Sequence, residues 1–140
     1  MADFLTAYKR GLDAANKAER NRTEIKAVIK ELNSQLKDAT NDMVGIDIVL
    51  KDLPLRGLAD IAASSFRPLK YQALCVYNPR KHQSDKVEIA KWEESENGYP
   101  CTITINNQRL KCTDKETLEM ALEELLADPR TGEAFQTILN

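Results

Sequence analysis

Apolar residues recur every three or four positions along the first forty residues, and this periodicity constrains the chain more than any other feature. Such spacing places side chains on one face of a long helix. At about 1.5 Å per residue the helix is roughly 50 Å long, which exceeds the diameter of a compact domain of this size. Part of the face must therefore lie along the rest of the chain or meet another chain. Its residues are Phe4, Tyr8, Leu12, Ala15, Ala18, Ile25, Ile29, Leu32 and Leu36.

Two interruptions leave two interpretations of this segment open. Gly11 is a poor helix former, and Arg22 falls on the apolar face. Asn21 followed by Glu24 resembles a capping box, which would start a second helix folded back on the first. Because no glycine or proline stands at that join, we favour one continuous helix with Asp3 as its cap.

Three strands are indicated after the helix. Apolar and polar residues alternate over 46–51 and again over 86–92, which is the period of a half-buried strand. The run 71–77 is apolar on nearly both faces, and this pattern is typical of a central strand. We therefore place 71–77 in the middle of the core.

A hairpin follows these strands. The polar run 93–98 separates the third strand from the alternating residues 101–105. Asn106–Asn107 can adopt the positive φ angles of a two-residue turn, after which 109–112 returns as the partner strand.

Three shorter helices complete the pattern. The pattern over residues 58–66 predicts a short helix that ends before Pro68. Thr113 and Glu116 form a capping box for the next helix, and Asp128–Pro129 starts the last one. The apolar residues of the two C-terminal helices are Leu118, Leu122, Leu125, Leu126, Phe135, Ile138 and Leu139.

These elements predict an α+β fold. It consists of a long N-terminal amphipathic helix, an antiparallel or mixed sheet of about four or five strands, and two C-terminal helices. We expect a single domain, divided into a helical segment (1–40), a sheet region (44–112) and the C-terminal helices (113–140).

Composition narrows the class of protein further. With 42% hydrophobic and 30% charged residues, the 140-residue chain has enough apolar side chains to fold. No apolar run approaches the roughly 20 residues that cross a bilayer, and the first twenty residues lack the order of a signal peptide. We therefore expect a cytoplasmic protein with no membrane partner.

The pattern of the cysteines and the single histidine favours structural roles over metal binding or catalysis. The three cysteines form no CxxC pair, which argues against a disulfide framework and a zinc ribbon. With a two-residue turn Cys101 faces Cys112, close to the separation of a disulfide, but two small core residues are the simpler interpretation. His82 lies in a polar loop, and Cys75 lies on the central strand, where a thiol is buried and inert. We predict no metal and no cofactor.

No catalytic residue can be singled out. Carboxylates at Asp47, Asp52, Asp60 and Glu88 could converge in such a fold, but nothing in the sequence selects among them. No glycine-rich loop follows a strand to hold phosphate. A small enzyme that uses Cys75 or a carboxylate is therefore only the third of three functional hypotheses.

Charge is unevenly distributed, although the net charge is only −2. Basic residues predominate from Arg67 to Lys91, with tyrosines among them, whereas acidic residues predominate after position 113. In such a stretch the basic side chains can bind phosphates and the aromatic rings can stack on bases. This gives the second hypothesis, a nucleic-acid-binding protein whose contacts are Arg80, Lys81, Lys86 and Lys91.

The first hypothesis is a non-enzymatic interaction or regulatory protein. It self-associates as a homodimer through the N-terminal helix and binds another macromolecule, a protein in preference to a nucleic acid. The residues predicted to carry self-association are Tyr8, Leu12, Ile25, Ile29, Leu32 and Leu36.

Overall fold

The helices and strands of the structure follow the hydrophobic periodicity of the sequence. The computed structural model describes residues 1–53, 70–81 and 85–140. Within them lie a long N-terminal helix, five antiparallel strands and two C-terminal helices, which confirms the α+β fold. The elements are α1 (Phe4–Ala39), β1 (Gly45–Asp52), β2 (Lys70–Tyr77), β3 (Val87–Ser95), β4 (Gly98–Ile105), β5 (Gln108–Cys112), α2 (Lys115–Ala127) and α3 (Pro129–Leu139).

α1 is one continuous helix of 36 residues, so the interpretation of two helices folded as a hairpin is wrong. The Asp3 carboxylate accepts a hydrogen bond from the Thr6 amide (3.0 Å) and caps the first turn. The helix ends at Ala39, because Asn41 and Asp42 adopt positive φ angles of 53° and 62°. These residues turn the chain toward β1.

The strands form a meander in the order β1-β2-β3-β4-β5, and every neighbouring pair is antiparallel. Asn106 and Asn107 have φ angles of 50° and 70°, as a two-residue turn requires. Cys101 consequently pairs with Cys112, as predicted. In β2, four successive residues from Ala73 to Val76 are buried, which agrees with the prediction of a core strand.

Two predicted boundaries are wrong. The polar run 93–98 belongs mostly to strands, and only Glu96 and Asn97 form the turn between β3 and β4. Charged residues are tolerated there because this part of the sheet is half solvated, and Glu93 pairs with Arg109 at 3.2 Å.

The cap of α2 is also one residue later than predicted. Asp114, not Thr113, accepts the Thr117 amide hydrogen bond (2.8 Å), and the Thr117 hydroxyl in turn accepts from the Asp114 amide (3.1 Å). The box therefore closes on Thr117 rather than Glu116. The cap of α3 is Asp128 followed by Pro129, as predicted.

The core lies between one face of the sheet and the three helices. α1 packs against β1 and β4, α2 against β5, and α3 against β2 and β3. Asn33 of α1 holds the edge strand, because its side chain both donates to the Ile46 carbonyl (2.7 Å) and accepts from the Ile46 amide (2.6 Å). The predicted helix 58–66 lies outside the described residues.

Gly98 provides a test of how closely α1 approaches the sheet. Its φ angle is +85°, and a Cβ atom there would lie 2.9 Å from Cβ of Asn21. We expect Gly98→Ala to lower the free energy of unfolding by about 1–3 kcal/mol. The measurement is urea denaturation of wild type and variant.

The matched control is Gly132→Ala in α3, where an added Cβ meets nothing within 4 Å. It should stabilise the protein by about 0.5–1 kcal/mol, because alanine is the better helix former. Equal stability of the Gly98→Ala variant and wild type would contradict the close contact between α1 and β4.

Candidate interaction site

α1 has two parts with different surroundings. Every residue from Met1 to Lys17 is exposed, and Ala18 is the first buried residue. We call residues 4–17 the arm, which is about 21 Å long. Its large apolar side chains stand in solvent, with 81% of Phe4 and 49% of Leu12 exposed and Leu5 and Tyr8 between these values.

The arm begins where α1 leaves the sheet. The side-chain amide of Asn21 donates to the Asn97 carbonyl (3.0 Å), and Arg22 donates to the Glu96 carbonyl (2.5 Å). Arg22, which interrupts the apolar pattern in the sequence, thus holds the β3–β4 turn. N-terminal to these contacts the helix continues into solvent.

The structure separates the six residues predicted to carry self-association. Tyr8 and Leu12 lie on the arm and are exposed. Ile25 is only 1% exposed and belongs to the chain's own core, and three others pack partly buried against that core. These three are Ile29, Leu32 and Leu36.

Phe4 and Leu5 share the exposed face with Tyr8 and Leu12. The sequence placed Phe4 on the apolar face of the helix but not among the residues of self-association, and it did not predict Leu5. Leu5 directly follows Phe4, so it falls outside the spacing of three or four residues that begins at Phe4. The spacing of Leu5, Tyr8 and Leu12 at i, i+3 and i+7 is the signal that could have found it.

A groove runs between α1 and α2. It has a volume of about 560 Å³ and an apolar floor formed by Val28, Leu32, Leu122 and Leu126. The sequence did not predict this groove, because it depends on α1 and α2 lying side by side. Four carboxylates form its rim, and these are Glu24, Glu31, Glu119 and Glu123.

Two of the rim carboxylates have close partners within the chain. Glu24 accepts a hydrogen bond from the Tyr99 hydroxyl (2.9 Å). Burial, and secondly this hydrogen bond, raises the Tyr99 pKa. Glu119 lies 3.9 Å from the Lys115 ammonium. All four rim carboxylates remain exposed, so the groove presents negative charge around an apolar floor.

The basic residues predicted to contact nucleic acid differ in the groups that they contact. Lys81 Nζ donates to the carbonyl of Asn140 (3.0 Å), and Arg80 is exposed beside it. Lys86 pairs with Asp47 (3.1 Å) and lies 5.4 Å from the Tyr77 ring centroid.

Lys91 lies further along β3, and its Nζ is 5.5 Å from the ring centroid of Tyr71. Three of the four basic side chains therefore already contact neighbouring groups of the chain. Nucleic-acid binding through these residues stays a prediction.

The cysteines lie at two separate places in the sheet. Cys101 and Cys112 face each other across β4 and β5, and burial raises the pKa of both thiols, that of Cys101 to about 12. Cys75 lies in β2, and burial raises its pKa as well. A raised pKa disfavours the reactive thiolate.

Asp47 and Glu88 flank Cys75 in the register of β1, β2 and β3, and each candidate carboxylate contacts a different group. Asp47 pairs with Lys86, and Asp52 lies 3.5 Å from Lys70. Glu88 accepts a hydrogen bond from the Tyr71 hydroxyl (2.6 Å), which raises the Tyr71 pKa to about 12. Asp60 and His82 lie outside the described residues.

Over the ranges 1–53, 70–81 and 85–140, no group of three or more histidine, cysteine or acidic side chains could hold a metal ion. None of the helices in this part of the chain is both long and apolar enough to cross a membrane.

Comparison with known proteins gives no relative: no protein-family model, curated protein or solved structure matches this chain. The function is therefore inferred from the chain's own residues.

Burial of the cysteines has a direct chemical consequence. We expect all three thiols to react slowly with dithiobis(nitrobenzoic acid) in the folded protein and rapidly in denaturant. The readout is absorbance of the released thiolate with and without urea. A thiol that reacts rapidly in the folded state would contradict this burial.

The raised pKa of Cys101 makes stability depend on alkaline pH. Between pH 9.0 and about 12 the unfolded thiol is ionised while the folded thiol remains protonated, so the free energy of unfolding falls as pH rises. Urea denaturation across this range should show a shallower fall for Cys101→Ala than for wild type. Identical slopes would exclude a contribution from Cys101.

Proposed function

We propose that this protein is a non-enzymatic interaction protein that self-associates reversibly through the arm. The observation that carries the proposal is the exposed row of Phe4, Leu5, Tyr8 and Leu12 on a helix that the sheet does not cover. Exposed apolar patches of this kind on a structured element are typical of interaction surfaces.

A second copy of the chain is the proposed occupant, because the chain itself offers an acidic groove with an apolar floor that suits a basic and apolar arm. The arm is the N-terminal extension of the helix whose next apolar residues, from Ala18 to Leu36, pack on the chain's own body. The continuous helix prevents the arm from folding back on that body. None of the described residues of the chain covers the apolar side chains of the arm, and a second copy could bury them.

The expected association is reversible. Each large apolar side chain contributes on the order of 1.5–3 kcal/mol when it is fully buried. Association costs roughly 4–15 kcal/mol in lost translational and rotational entropy. Burial of four such side chains per copy therefore leaves only a small net free energy of association. An assembly of this kind presents each surface of the chain more than once to a protein partner.

Substitution of an arm residue tests the proposal. We expect the wild-type chain to show a mass that rises with concentration, and Leu12→Asp to remain monomeric, because a carboxylate in the apolar row opposes its burial. Light scattering across a concentration series measures the mass. Thermal unfolding of the dilute monomers should be nearly unchanged, since Leu12 lies outside the core.

Met120→Asp is the matched control, because Met120 is an exposed apolar side chain on α2 and does not line the groove. It should associate as wild type does. A wild-type chain that stays monomeric at every concentration would refute the proposed function.

A further inference from the structure

We propose that the arm of one copy binds in the acidic groove between α1 and α2 of a second copy. This inference rests on the proposed function, because it names the surface that receives the arm. Binding of an amphipathic helix in an apolar groove is a recurrent mode of recognition.

The dimensions of the two surfaces agree. The groove is lined from Glu24 to Gln35 on α1 and from Lys115 to Leu126 on α2, a length of about 16 Å on each helix. The arm from Phe4 to Leu12 covers about 12 Å along its axis. Leu5, Tyr8 and Leu12 would meet the apolar floor along one face of the arm.

The charges are also complementary. The arm contains three cations, Lys9, Arg10 and Lys17, and one carboxylate, Asp13. The groove places four carboxylates around its floor, and Lys115 is the single cation among the described residues that line it. A basic helix is therefore attracted to this rim, and salt should weaken the attraction.

Pairing of one arm with another is less favourable on the same grounds. Each arm carries three cations and one carboxylate, so two arms repel each other, whereas the groove offers four carboxylates. A chain cannot fill its own groove either, because the arm and the α1 side of the groove belong to one continuous helix. Each copy consequently offers one donor, the arm, and one acceptor, the groove.

A complementation experiment tests this assignment. Leu12→Asp disables the arm and keeps the groove, whereas the double variant Glu31→Lys/Glu123→Lys reverses charge at the rim and keeps the arm. Both rim side chains are exposed, so the fold should be retained. The control is Glu124→Lys/Glu133→Lys, which changes the net charge equally at two exposed carboxylates that do not line the groove.

We expect the rim variant to raise the dissociation constant for self-association about tenfold or more, and the control to leave it nearly unchanged. At a concentration where wild type is associated, each disabled variant alone should be monomeric. An equimolar mixture of the two should form a one-to-one heterodimer, measured by light scattering at low salt.

Two other outcomes are distinguishable. If the rim variant associates as wild type does while Leu12→Asp is monomeric, the groove is not the acceptor and arm-mediated association stands. If wild type itself is monomeric throughout, the proposed function and this inference both fail. Association that is insensitive to salt would also count against the acidic rim.

Discussion

The packing of α1 across the sheet is the interaction on which the rest of the structure depends. Only its C-terminal part, from Ala18 onward, contributes buried side chains. Asn21 and Arg22 form hydrogen bonds with the β3–β4 turn, and Asn33 forms hydrogen bonds with the edge strand β1. Because these contacts fix the position and direction of a continuous helix, they also determine where the arm leaves the body.

One helix therefore has a structural part and an exposed part. The exposed part displays apolar and basic side chains together, and the structural part forms one wall of an acidic groove. In the proposed assembly the same element supplies both the arm and one wall of the groove that receives it. Reversible association would then be governed by concentration and by ionic strength.

The sequence predicted those features that depend on local patterns. The turn at Asn106–Asn107 determined the register of β4 and β5, and the apolar period of α1 revealed its length. It could not separate Tyr8 from Ile25, because both lie in one apolar pattern and only the extent of the sheet decides which is covered. The groove was missed for a related reason, since Glu31 and Glu123 are far apart in sequence and meet only when α1 and α2 pack together. The cap at Asp114 was missed because Thr113 and Glu116 satisfy the same pattern one residue earlier.

Hydrogen exchange along α1, followed at two protein concentrations, tests the division of the helix most directly. Amides around Ile25–Leu36 should exchange slowly at both concentrations, because they belong to the core. Amides of the arm should exchange rapidly at low concentration and slow down as the chains associate. Equal exchange rates along the whole of α1 at low concentration would contradict the account.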